Sequence, residues 1–84
     1  MLMQEGWLID SNHHWSVRFH RDQKSWVREP YVFVDHGRGM PNGEPALLKS
    51  RRYLRLEDAT ALWNELRSYG WQQTEPVWGE NAEP

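Results

Sequence analysis

Leu56-Glu57-Asp58-Ala59-Thr60-Ala61-Leu62-Trp63-Asn64-Glu65-Leu66-Arg67-Ser68-Tyr69-Gly70-Trp71 places apolar side chains at 56, 59, 62, 63 and 66. Steps of three and four residues put them on one stripe of an α-helix. Glu57 and Asp58 stand in the first turn and Arg67 near the last, where each charge suits the end of the helix dipole. Gly70 is the natural residue to leave the helix in the left-handed conformation. Trp71 and Leu66 then form the apolar pair that accompanies a Schellman stop. This segment predicts one amphipathic helix that needs an apolar surface to lie on.

The residues before it supply that surface. Gly6-Trp7-Leu8-Ile9-Asp10 reads as a first strand, and Asp10-Ser11-Asn12 as a turn. His14-Trp15-Ser16-Val17-Arg18-Phe19-His20 alternates with period two, with Trp15, Val17 and Phe19 on one face. Tyr31-Val32-Phe33-Val34 is aromatic and β-branched throughout, as expected of a central strand. The run from His36 to Pro45 holds three glycines and two prolines and reads as a long loop. Ala46 to Leu54 reads as one further strand across it. Trp71-Gln72-Gln73-Thr74-Glu75 resumes in extended form, and Val77-Trp78 as a final anchor.

The fold class that follows is α+β: a small antiparallel sheet of four to five strands with one helix packed on one face, in the order ββββ-α-β. The 84 residues make one domain, residues 1–78, with a polar tail at 79–84 expected to fray.

Composition narrows the function. There is no cysteine, which removes thiol catalysis, iron–sulfur ligation and cysteine-based zinc sites. No apolar run reaches the ~20 residues that a membrane span needs, and the N-terminus has neither a basic region nor an apolar one typical of a leader. A cytoplasmic protein is the expectation, with no membrane partner. Six tryptophans supply core area to a short chain, and one or two of them exposed would grip a partner.

Several segments, taken in order, carry a resemblance. They are Gly6-Trp7-Leu8, Trp15-Ser16-Val17-Arg18-Phe19, Val32-Phe33-Val34-Asp35-His36-Gly37-Arg38, Pro45-Ala46-Leu47-Leu48-Lys49-Ser50-Arg51-Arg52, and Ala59 with Leu62-Trp63, Leu66 and Gly70-Trp71. The pattern resembles the domain-of-unknown-function family 1651, small Trp-rich proteins of marine unicellular cyanobacteria, from about Gly6 to Trp78. The resemblance implies a cyanobacterial cytosolic origin. It implies no activity, cofactor or catalytic residue.

The chemistry-bearing residues point away from catalysis. His13 and His14 are neighbours and on a strand face opposite ways. His14 and His20 lie six residues apart, roughly 20 Å along a strand, too far to share an ion. Asp35 and His36 face opposite ways for the same reason, and Ser16, Ser25 and Ser50 lack nucleophile-elbow glycines. No catalytic residue, metal ligand or cofactor is expected. The Gly37–Gly43 loop offers backbone N–H groups and Arg38 to an anion, but it lacks the Gly-Lys-Ser/Thr of a P-loop and is followed by a strand.

Charge is the remaining signal. The net charge is −2, yet from Arg18 to Arg55 there is an excess of five positive charges, and from Glu57 onward an excess of five negative ones. Arg18, Arg38, Lys49, Arg51, Arg52 and Arg55, with Tyr53 interleaved, form a candidate interaction face, Lys49, Arg51 and Tyr53 aligning on one strand. The expected role is a non-enzymatic module that binds another protein. The alternatives are a protein for RNA or single-stranded nucleic acid, with aromatics stacking on bases, and a small enzyme or anion-binding protein. Identity of the partner and oligomeric state are not written in the sequence.

Overall fold

The computed structural model describes residues 5–84. Met1 to Gln4, part of the N-terminal stretch read for a leader, lie outside the described residues. Five strands and one helix follow in chain order: β1 (Gly6–Ile9), β2 (Ser16–Arg21), β3 (Tyr31–Arg38), β4 (Leu47–Arg55), α1 (Leu56–Ser68) and β5 (Gln72–Gln73). The sheet order is β4-β3-β2-β1-β5, with every pairing antiparallel. This is the α+β order read from the sequence.

The core forms where the alternation and the helical stripe meet. Leu8, Val17, Phe19, Val32 and Val34 point from the sheet to Ala59 and Trp63 of the helix, and all seven are buried. Leu54, Leu56, Leu62, Leu66 and Trp71 close around them, half-buried. Trp63 meets Phe19 edge-on at 5.2 Å between ring centroids. The far end of its indole lies under Gly6, where a Cβ would come within 2.9 Å of the ring.

Backbone hydrogen bonds tie down both helix ends. No side chain caps the N-terminus; the Leu56 N–H donates to the Pro30 carbonyl at 2.9 Å instead. At the other end Gly70 has φ +95°, the Trp71 N–H donates to Leu66 O at 3.1 Å, and the Gly70 N–H donates to Arg67 O at 3.1 Å. Those two bonds are the Schellman pair that the Leu66–Gly70–Trp71 spacing predicts.

Three local readings are corrected. The second strand starts at Ser16 and not at His14, because Asp10 takes the intervening backbone. Its carboxylate accepts the His14 N–H at 2.8 Å and the Trp15 N–H at 3.2 Å, with His13 at φ 55°. The third strand runs on through His36, Gly37 and Arg38, residues read as loop. Gly37 belongs there because β4 approaches it closely: a Cβ would sit 2.6 Å from the Leu47 carbonyl oxygen. The ladder slips by one residue between His36 and Gly37, so Ser50 pairs with His36 and Leu48 with Gly37, leaving Lys49 without a partner. That bulge breaks the expected alignment of Lys49 with Arg51 and Tyr53.

Candidate functional site

The sheet face away from the helix carries the polar side chains. Register places Trp7 beside Arg18, Arg18 beside Asp35, and Asp35 beside Arg51, one row across four strands. His20, Phe33 and Tyr53 form the next row, and Tyr31 and Arg55 the one after.

Asp35 is the centre of the first row. Its side chain is 0% exposed. The Arg51 guanidinium holds it with two bonds, Nε to Oδ1 at 2.7 Å and an Nη to Oδ2 at 2.9 Å. His20 Nε2 lies 2.8 Å from Oδ2. Burial alone would raise the Asp35 carboxyl, but the hydrogen bonds and charges of Arg51 and His20 outweigh it and hold it at about 2. Arg51 is pushed up in turn, chiefly by the same hydrogen bond. The guanidinium also lies 4.6 Å from the centre of the Phe33 ring.

An aromatic cluster adjoins this pair. Tyr53 stacks on Tyr31 at 4.7 Å and tilts against Phe33 at 4.9 Å. The Tyr53 hydroxyl donates to Asp22 Oδ2 at 2.5 Å. That bond pushes the phenol up to about 12 and Asp22 below the usual carboxylate range.

The C-terminal segment crosses the opposite end of the face. Trp78 is buried edge-on against Trp7, 4.6 Å between rings. Arg18 donates to the Glu80 carbonyl at 2.8 Å and lies over the Trp7 ring at 5.7 Å. Glu83 reaches Arg51 at 3.4 Å. Residues 79–84, where the sequence suggests fraying, thus carry two contacts with the basic side chains.

The candidate residues therefore divide. Arg18, Arg51 and Tyr53 share the polar face. Arg38 and Lys49 gather instead around Trp15, 5.8 and 6.0 Å from the ring, and Arg38 also meets His14 at 2.8 Å rather than the glycine loop. Arg55 lies 3.7 Å from Glu29. Arg52 lines the groove on the helix side of the sheet. The sequence raised Asp35 only beside His36 and His20 only beside His14, and did not bring Asp35, His20 and Arg51 together. The signal available was weak: an acid directly after the apolar run Tyr31–Val34 on a central strand calls for a cation wherever the fold buries it, and the neighbouring strands supply one.

Among the described residues no group of three or more His, Cys, Asp or Glu could hold a metal ion, and no helix is long and apolar enough to cross a membrane. The family described as Protein of unknown function (DUF1651) matches the chain over residues 5–78. The chain belongs to this family. No curated protein and no solved structure matches it. For this DUF1651 member, one further feature stands out from the sheet. Trp26 and Val27, at the tip of the β2–β3 connection, are 73% and 81% exposed. The turn that carries them is tightly tied. Ser25 N–H and Oγ both donate to Asp22 O, the Tyr31 N–H donates to Ser25 Oγ, and the Glu29 N–H donates to Trp26 O.

Proposed function

We propose that this protein is a non-enzymatic protein-interaction module, with Trp26 as its apolar anchor. The observation that carries this reading is a large aromatic side chain held out by a hydrogen-bonded turn. Because the backbone of the turn is already ordered, presenting the tryptophan costs little backbone entropy on binding, and buried Trp and Arg side chains dominate protein interfaces. Trp26 borders an open groove with Arg28, Pro30, Arg55 and Leu56, mixing apolar surface with charge as interface rims do.

The charge balance of the sheet face favours a protein over a polyanion. Arg51 is matched by Asp35 and Glu83, Arg55 by Glu29, and the Tyr53 hydroxyl is turned to an acid. A phosphate chain would have to displace those carboxylates. The stacked Tyr31–Tyr53 pair supports single-stranded nucleic acid as the second reading.

A non-enzymatic role is favoured because Asp35 is sealed by Arg51, and the ring nitrogen of His20 that meets it is turned to Asp35 and Arg51 and not to a hydroxyl. Affinity capture from native extract with nuclease, comparing wild type and Trp26→Ala, tests the reading. Partners retained by the wild type and lost by the variant are expected. An identical partner set for both would remove Trp26 as the anchor, and capture abolished by nuclease would move the assignment to nucleic acid.

A further inference from the structure

We infer that residues 76–84 are an exchangeable strap, and that the seat they fill on the polar face of β1 and β2 docks a partner segment of the same chemistry. That segment is an extended peptide with an indole, a carbonyl two residues on and a carboxylate five residues on, as in Trp78, Glu80 and Glu83. The seat is separate from Trp26 and does not depend on it.

Side chains, and not a ladder, join this segment to the sheet. β5 ends at Gln73, and the last backbone bond to a strand runs from the Thr74 N–H to Trp7 O at 3.1 Å. Pro76 has no N–H to offer. Beyond it, among the described residues, the one backbone–backbone bond is internal, from the Ala82 N–H to Gly79 O at 3.0 Å. Trp78 is the one buried residue of the segment, with Val77 and Ala82 half-buried. Its ring stands edge-on against Trp7. A recess of about 390 Å³ stays open beside it, between Trp7, Arg18, His20, Pro76 and Glu80.

The seat is filled without being locked. Among the described residues nothing accepts a hydrogen bond from the buried Trp78 Nε1. An unanswered buried N–H costs about as much as burying a large apolar ring gains, so the indole adds little net hold. The outer ties are weak as well. The bond from Arg18 to Glu80 O is exposed, and the Glu83 side chain at Arg51 is 69% exposed. Arg51 keeps Asp35 when Glu83 leaves. Opening the strap therefore breaks no strand pairing and leaves no buried charge alone. Segments held this way open locally, well below the cost of global unfolding.

What fills the seat now defines what fits it. Trp7 meets an aromatic ring, Arg18 donates to the carbonyl two residues beyond, and Arg51 meets a carboxylate three residues further on. A partner segment with the same spacing repeats each contact and pairs again the cations that the strap covers. Displacing a tethered segment takes contacts that the tether does not make, because the strap competes at a high effective concentration. The recess beside Trp78 supplies room for them.

The probe is a capped peptide with the sequence of residues 76–84 and a fluorinated indole, and the host is the full chain carrying Trp78→Ala. Saturable binding by fluorine NMR is expected, with host shifts at Trp7 and Arg18 and none at Trp26. The wild-type chain should bind the probe more weakly by about tenfold or more, because its own strap holds the seat. Alanine in place of the probe's tryptophan should abolish binding. In the wild-type chain alone, the Trp78 indole N–H should exchange about 100-fold or more faster than the bonded amides of β2 and β3, at a rate indifferent to low denaturant, the mark of local opening. That measurement decides the matter if Trp78→Ala fails to fold. No binding to a folded Trp78→Ala host, equal affinity for both hosts, or an indole that exchanges only with global unfolding would overturn the inference. A wild-type dimer that Trp78→Ala dissociates would overturn it too, by giving the seat to the strap of a second copy.

Discussion

Arg51 reaches across from β4 to close both oxygens of Asp35 on β3, in a site where the carboxylate sees no solvent. The pair makes stability depend on pH. Asp35 has a folded value of about 2 against 3.8 for the free side chain. Between these the unfolded chain binds more protons, so its contribution is complete above about pH 5 and lost as pH falls toward 2. The loss should be about 2 kcal/mol. Asp35→Asn should flatten that acid limb in thermal melts and cost about 3 kcal/mol at neutral pH, since Arg51 is left without its buried partner. An unchanged acid limb in the variant would assign it to other carboxylates.

Trp63 fills the space between helix and sheet, touching Phe19 and lying under Gly6. Trp63→Ala should cost about 3–5 kcal/mol, a large share of what holds a domain this short together. Gly6→Val should also destabilise, by forcing the indole away from its seat. Denaturant midpoints of the two variants would measure both.

Gly70 and Gly37 should respond to alanine for different reasons. At Gly70 there is nothing within 4 Å of an added Cβ, so the cost is that of φ +95° alone, about 1 kcal/mol. At Gly37 the backbone is ordinary but the Leu47 carbonyl is in the way. Gly37→Ala should therefore shift the β3–β4 ladder, visible as changed amide exchange at Ser50 and Arg52, whereas Gly70→Ala should leave the sheet untouched.

The helix and its stop were legible because their signals are local: the Leu56–Leu66 stripe and Gly70 need no knowledge of partners. The second strand was legible from period two, though not its start at Ser16. The polar site was not, because it is made across strands. Asp35 meets His20 and Arg51 only through register, and register here depends on a bulge beside Gly37. The glycine that read as loop is the residue that allows close approach within the sheet. The basic segment was visible as charge, but its neutralisation by Asp35, Glu29 and Glu83 is a property of the fold.

Tyr53 offers a direct check on the aromatic cluster. Its phenol is held at about 12 mainly by the hydrogen bond to Asp22. Asp22→Asn should bring it back toward the ordinary value of 10. Following the Tyr53 ring carbons by NMR through an alkaline titration separates it from the other tyrosines. A value unmoved by Asp22→Asn would mean that the bond is not formed in solution.

The last prediction concerns salt, which separates the two partner classes. If the polar face bound a nucleic acid, each phosphate contacted would release counterions, and log affinity would fall linearly with log salt at about −0.7 per phosphate on a single strand. With Arg51 and Arg55 already matched by acids, few cations are left to contribute, so any slope for a single-stranded oligonucleotide should be shallow. A protein partner anchored on Trp26 should show salt mainly in its association rate, with dissociation governed by the buried indole. Trp26→Ala should then speed dissociation by about tenfold or more while leaving the melting temperature unchanged, since Trp26 is exposed and outside the core. A melting temperature lowered by several degrees would show that Trp26 supports the fold instead, and an oligonucleotide slope steeper than about −3 would return the polar face to nucleic acid.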